Sequence, residues 1–203
     1  ANKRGIIWLR MKARNRGKMK TNQTLIGDCR ETLKQIPDNF VQTCITSPPY
    51  WGLRDYGTAT WEGGDENCDH QGETMRKHHV SDNKEKPREF FKNQCGKCGA
   101  IRKDSQLGLE ETPEEYVETM VAVFREVKRV LRDDGTVWLN LGDTFLPNKQ
   151  LGCIPFKVAM ALQADGWYLR QDIIWQKNNP MPESVTDRCT KAHEYIFLLS
   201  KNK

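Results

Sequence analysis

The chain has 203 residues, of which 37% are apolar and 29% charged. That length suits one well-buried domain with an insertion and is short for two. The longest apolar runs, such as Ile196-Phe197-Leu198-Leu199, fall far below the roughly 20 residues of a spanning helix, which excludes a helical membrane protein. The run Ile6-Ile7-Trp8-Leu9 is too short for a signal peptide, so a cytoplasmic location is expected.

The net charge of +5 is unevenly spread: residues 1–20 carry eight Lys or Arg and no acid, and the remainder is mildly acidic. Net charge therefore gives no ground for calling the body a nucleic-acid binder. Residues 1–20 read as a disordered basic tail, serving as a phosphate grip, a targeting peptide, or sequence upstream of a start at Met11 or Met19. The last is preferred, because the strand-like pattern begins after Lys20.

From Thr21 strands and helices alternate. Thr24-Leu25-Ile26 reads as a short strand ending at Gly27-Asp28, and residues 29–36 as a helix. Val41–Thr46, rich in β-branched residues, is a second strand that runs into Ser47-Pro48-Pro49-Tyr50. Residues 52–111 break the rhythm with few aliphatics, and a structureless loop of that length is improbable in a compact domain. Thr112 then fits an N-cap, Pro113 the first helical position and Glu115 the reciprocal cap. Val117, Met120, Val121, Phe124, Val127 and Leu131 follow helical spacing until Asp133-Asp134-Gly135. Thr136–Leu141 is a strand, 155–165 a helix closed by Gly166, and Tyr168–Trp175 and Glu194–Ser200 are strands. The order predicts an α/β domain with a mainly parallel sheet and an antiparallel last strand at an edge.

Thr46–Tyr50 lies at a strand's carboxyl end, where open α/β sheets place their ligands. Two prolines stiffen the loop and remove two donors, which leaves acceptors suited to the hydrogens of an amine. Ser47 adds another acceptor, and Tyr50 offers a flat face for a planar base. A proline-rich turn without function reads equally well from composition alone.

This block, with Gly27-Asp28 before it, resembles the signature of the β-class DNA amino-methyltransferases. The resemblance extends through Arg129-Val130-Leu131, Asp134-Gly135-Thr136, Asn140-Leu141-Gly142-Asp143, Asp172-Ile173-Ile174-Trp175 with Lys177, Pro182–Arg188 and His193–Phe197. Trp51–Gly57 is similar to a version common in bacteriophages and prophages. The resemblance implies a Rossmann-like methyltransferase sheet that takes a methyl group from S-adenosylmethionine to the exocyclic amine of cytosine (N4) or adenine (N6). The partner it implies is double-stranded DNA with a flipped base, in a restriction-modification setting. Ser47, Pro48, Pro49 and Tyr50 are the implied catalytic residues, Asp28 and Thr46 the implied cofactor contacts, and Trp51, Arg54, Asp187 and Arg188 the implied base or DNA contacts. Arg188 reads equally as a structural ion pair, and Gly27-Asp28 as an ordinary helix cap. Serine before Pro-Pro-Tyr favours cytosine-N4, with adenine-N6 the alternative. Carbon-5 chemistry, which needs a thiolate after a proline, is disfavoured because none of the nine prolines precedes Cys.

Cys68, His70, Cys95 and Cys98 form a Cys-x-His and Cys-x-x-Cys set with the spacing of a structural zinc knuckle. Metal binding would supply the stability that the aliphatic-poor insert lacks. His78 or His79 could replace His70, and Cys29, Cys44, Cys153 and Cys189 read as small buried residues. No Gly-x-Gly triplet occurs, although relatives carry a glycine-rich cofactor loop near the C-terminus. The expectation is a partial catalytic domain over 21–203, interrupted by 52–111, with the missing half carrying that loop. Competing readings are a non-catalytic DNA-binding remnant, one half of a split enzyme, and an amine methyltransferase acting on protein glutamine or RNA.

Overall fold

A computed structural model describes residues 7–10, 21–53, 56–70 and 94–203. Its elements run β1 (Ile7–Arg10), α1 (Cys29–Thr32), β2 (Val41–Thr46), β3 (Thr60–Glu62), β4 (Ile101–Lys103), α2 (Pro113–Val130), β5 (Leu131–Leu141), α3 (Ile154–Ala164), β6 (Tyr168–Gln176) and β7 (His193–Ser200), with a 3-10 turn at Leu33–Gln35. The main sheet has the order β1-β2-β5-β7-β6, and β3 and β4 form a separate ladder. β2 and β5 are parallel, and β7 is antiparallel to both β5 and β6. β2, β5 and β6 therefore point the same way, and their carboxyl ends share one rim. The segments after Thr46, Leu141 and Gln176 all leave the sheet there.

Local chemistry explains the helices. Thr112 Oγ1 accepts from the Glu115 N–H at 3.2 Å while the Glu115 carboxylate accepts from the Thr112 N–H at 3.3 Å, and Pro113 occupies the first turn. This reciprocal cap satisfies donors that have no partner within the helix. Tyr116, Met120, Phe124 and Val127 then bury one face. α3 stops at Gly166 (φ +89°), where the Gly166 and Trp167 N–H groups return to Gln163 O and Leu162 O, each at 3.0 Å. That pairing needs a left-handed residue, which glycine adopts without strain. β5 buries Leu131 at its start and alternates from Gly135 onward, burying Val137, Leu139 and Leu141. With α2, α3, Phe197 and Leu199 these residues form one continuous core.

Several expectations are corrected. Residues 24–26 form no strand: Ile26 is 88% exposed, and the chain turns at Gly27 into α1. The sheet is mixed rather than mainly parallel, since three of its four pairings are antiparallel. β7 is inside the sheet, not at its edge; without a crossover helix after β6 it must return antiparallel, and it fills the gap between β5 and β6. α2 ends at Val130, and Asp133-Asp134-Gly135 belong to β5, where they bulge between the Val41–Leu131 and Thr43–Thr136 pairs. Within the basic tail Ile7–Arg10 is a strand, antiparallel to β2 from Ile7–Thr46 to Arg10–Thr43. The other tail residues, including Met11 and Met19, lie outside the described residues. Among the described residues no helix is long and apolar enough to cross a membrane.

Candidate active site and metal centre

Pro48 and Pro49 are buried beneath the loop after β2, and Ser47 is exposed at its tip. The loop is held from below by Tyr116 of α2, whose hydroxyl donates to Pro49 O at 3.0 Å. The Tyr50 phenol is fully engaged. Its O–H donates to Glu194 Oε2 at 3.0 Å, and its oxygen accepts from Asn140 Nδ2 at 2.9 Å. Ser47 Oγ lies 3.0 Å from the same oxygen. With the Tyr50 proton committed to a carboxylate, the Ser47 hydroxyl is the donor in that contact. Its two lone pairs stay available as acceptors.

Glu194, the second residue of β7, joins this network to the rim of β6. It accepts from Asn140 Nδ2 at 2.9 Å and pairs with Lys177. Burial raises the Glu194 carboxyl, but the hydrogen bonds from Lys177, Asn140 and Tyr50 outweigh it and hold the group below the usual range. Burial pushes the Tyr50 phenol up, so it stays protonated and keeps donating. Asp143, next on the β5 rim, is 9% exposed and receives the N–H groups of Cys153 (3.1 Å) and Ile154 (3.0 Å). It thereby caps α3 from a distance, because Cys153 makes no side-chain cap.

Beside Thr46 opens a cavity of about 220 Å³. The Gly27-Asp28 turn with Thr46, Pro48 and Pro49 lines one side, and Met120, Val123 and Phe124 of α2 another. Tyr56, Thr58, Ser105, Gln106 and Leu107 of the 52–111 segment close it. Among the described residues, Thr46 Oγ1 is buried without a hydrogen-bond partner. Asp28 accepts from the Arg30 N–H at 2.9 Å as the cap of α1, and Arg30 Nη2 reaches Ser105 O at 3.0 Å. Asp28 thus fills the structural role of a cap and also lines the cavity.

The structure brings Cys68, His70, Cys95 and Cys98 together, with their ligand atoms within 4.8 Å of one another. A tetrahedral zinc with sulfur at about 2.3 Å and nitrogen at about 2.0–2.1 Å sets S···S and S···N edges of roughly 3.8 and 3.5 Å. Cys68 Sγ and Cys95 Sγ are 3.8 Å apart, and Cys98 Sγ and His70 Nδ1 3.5 Å. Backbone N–H of Cys98, with His70, lowers the Cys95 thiol to about 6. Gly64 (φ +75°) lets the preceding loop approach, since a Cβ there would fall 2.7 Å from Cys98 Sγ. His78 and His79 lie outside the described residues.

The remaining expected contacts are placed differently. Trp51, expected at the base or DNA, is 5% exposed and belongs to the core, with its indole N–H donated to Glu110 O at 3.0 Å. An indole so enclosed cannot meet a base, and this expectation is corrected. Arg54 lies outside the described residues. Asp187 accepts from Lys149 at 3.2 Å; Arg188 pairs with Glu183 at 3.2 Å and covers the Phe145 ring at 3.8 Å. The ion-pair reading of Arg188 is the one its partners match. Cys44 is buried as expected, and burial pushes its thiol up to about 12, whereas Cys153 and Cys189 are exposed. Sequence reasoning gives Asn140, Glu194 and Lys177 no place among the site residues. A carboxylate opening an apolar strand at the ligand-bearing rim is the signal that could have found them.

Residues 41–203 match the DNA methylase family N6_N4_Mtase. The Type II methyltransferase M.SmaI of Serratia marcescens is 35% identical over 213 residues, covering 91% of this chain and 58% of the relative. M.Cfr9I of Citrobacter freundii is 34% identical, covering 87% and 53%. The chain thus spans little more than half the length of these relatives. Among solved structures, the cytosine-N4-specific PvuII DNA methyltransferase superposes with a TM-score of 0.53 at 16% identity, covering 87% of this chain and 48% of that one. The Thermus thermophilus protein TTHA0409, in a complex with S-adenosyl-L-methionine, gives 0.51 at 21% identity, covering 88% and 54%. At such identities the shared property is the fold.

Proposed function

The chain belongs to the N6/N4 DNA methylase family, and we propose that it methylates the N4 amine of cytosine in duplex DNA, using S-adenosylmethionine. One observation carries the reading: Ser47 is exposed at the rim with Oγ 3.0 Å from a Tyr50 oxygen whose own proton goes to Glu194, so the Ser47 hydroxyl donates to Tyr50 and keeps its lone pairs for an amine. An amine conjugated to a base ring is a weak nucleophile because its lone pair is delocalised. Accepting its N–H at Ser47 Oγ favours a tetrahedral nitrogen and stabilises the positive charge that develops there. Tyr50, immobilised by three hydrogen bonds, supplies the plane on which a flipped base stacks. The Glu194–Asn140 pair holds that plane, and Lys177 holds Glu194.

The cavity fits part of the cofactor. It offers the unpartnered Thr46 hydroxyl, the Asp28 carboxylate and apolar surface from Met120, Phe124 and Leu107. When bound, S-adenosylmethionine supplies an electrophilic methyl group on a sulfonium. The cavity's 220 Å³ is below the about 300–1,000 Å³ typical of pockets that enclose a whole ligand. We assign the remainder of the cofactor site to a further segment bearing a glycine-rich loop, of the length by which the relatives exceed this chain. Cys68, His70, Cys95 and Cys98 are assigned a structural Zn²⁺, since their separations fit its tetrahedral edges.

The test is transfer of labelled methyl from S-adenosylmethionine to DNA, RNA and protein offered separately, with Ser47→Ala and Tyr50→Ala as controls. Label in DNA alone, lost in both controls, is expected. Label in RNA or protein overturns the substrate class, and no label overturns activity of this chain by itself.

A further inference from the structure

We infer that the ion at Cys68, His70, Cys95 and Cys98 also fixes the insert-side wall of the cavity, so that metal occupancy controls the order of Tyr56–Thr58 and Asp104–Leu107. The inference rests on the zinc assignment above and adds a role to it.

The link between the two places is a short series of contacts. His70 stacks on Trp61 with ring centroids 4.7 Å apart and planes 15° apart. Trp61 lies in β3, directly opposite Arg102 of β4. Arg102 Nη2 donates to Asp104 Oδ2 at 2.8 Å, and the two side chains are each only 9% exposed. The other oxygen of Asp104 accepts from Thr58 Oγ1 at 2.9 Å and from the Gln106 N–H at 3.0 Å. Gln106 Oε1 in turn accepts from the Tyr56 N–H at 2.8 Å. Thr58, Gln106 and Tyr56 line the cavity.

The second ligand pair reaches the same ladder. The Cys95 N–H donates to Ala100 O at 2.8 Å and the Gly99 N–H to Cys95 O at 2.9 Å, immediately before β4 begins at Ile101. Both strands of a three-residue ladder are therefore anchored at the metal end. A two-stranded ladder of that length has little stability of its own in water. Its aliphatic content is small, and Ile101 is 44% exposed, so burial cannot replace the ion. Metal binding of this kind is folding free energy for the segment that holds it. Releasing the ion frees β3 and β4, and with them the Asp104 carboxylate that gathers the wall.

The experiment uses the full chain purified with zinc. Metal content is counted, and amide hydrogen exchange is followed in the loaded, chelated and zinc-restored protein. The expected result is one zinc per chain. Chelation should quicken exchange over 56–58 and 104–107 by roughly tenfold or more, reversed by zinc, with Val137–Leu139 of β5 unchanged. Asp104→Asn, and the milder Thr58→Val, should retain zinc and still loosen the wall. A chain without stoichiometric zinc overturns the zinc assignment and this inference together. Full zinc with a wall indifferent to chelation overturns the inference alone. So does exchange that quickens equally in β5, which would mean global rather than local loosening.

Discussion

Gly142 lies so close to the ring of Tyr50 that a Cβ on it would fall 2.7 Å from Cε2 and 2.9 Å from Cδ2. Both residues stand on the rim, one after β5 and one after β2, and the ring is already held at its hydroxyl by Asn140 and Glu194. Gly142→Ala forces the ring to tilt away from its partners. Displacement of a positioning group by about 1 Å can cost on the order of a hundredfold in rate. Methyl transfer by Gly142→Ala should fall by about ten- to hundredfold, beyond the loss of about 1–3 kcal/mol in urea unfolding that the overpacked contact brings. Steady-state assays alongside urea curves check this, and native-like turnover contradicts it.

Glu194 provides a pH signature. Its carboxyl is held below the usual range by Lys177, Asn140 and Tyr50 despite burial. A depressed group contributes stability that is fully present above its unfolded pKa and is lost as pH falls through the folded value. The stability difference between the native chain and Glu194→Gln should thus be constant above about pH 5 and shrink toward acid. Urea unfolding at a series of pH values measures it. A difference that grows on acidification contradicts the assignment.

Asp143 caps α3 through the Cys153 and Ile154 N–H groups. Asp143→Ala leaves both donors without that partner at a largely buried helix start, at a cost of about 1–3 kcal/mol. The midpoint of urea unfolding should fall accordingly. An unchanged midpoint would show that other groups or water take over the cap.

The Tyr116 hydroxyl, within a fully buried side chain, bonds Pro49 O at 3.0 Å. Tyr116→Phe strands that carbonyl and should cost about 1–3 kcal/mol in unfolding free energy. Because the same bond supports the Ser47–Tyr50 loop, turnover should fall more than stability alone explains. Equal turnover per folded molecule would confine Tyr116 to a structural role.

How far the sequence was legible depended on whether the signal was local. The cap at Thr112, Pro113 and Glu115 and the stop at Gly166 are set by neighbours in the chain, and they formed where their spacing placed them. Strand order is not local. Nothing in the β7 sequence says that it lies between β5 and β6, since its alternation would suit an edge equally. The bulge at Asp133-Asp134-Gly135 has the composition of a turn, and only pairing with β2 makes it part of a strand, where Gln42 Nε2 reaches Asp134 O at 3.2 Å. The cluster of Cys68, His70, Cys95 and Cys98 was legible because thiolate and imidazole spacing is chemically restrictive. Trp61, which stacks on His70, was not. In the site, Ser47 and Tyr50 carried a motif, whereas Asn140 and Glu194 meet Tyr50 only through sheet register. Trp51 was misplaced for the converse reason: next to a motif in sequence, it turns inward to Glu110.

The proposed catalysis depends on Ser47, its proton committed to Tyr50, accepting the amine of a flipped cytosine. The most direct test is nucleoside mass spectrometry on genomic DNA from a methylation-free bacterial host expressing the chain, beside hosts expressing Ser47→Ala and Tyr50→Ala. N4-methylcytosine present with the native chain and lost with both variants is the predicted result. N6-methyladenine in its place would contradict the choice of base. A host genome with neither would contradict catalysis by these residues without a further segment.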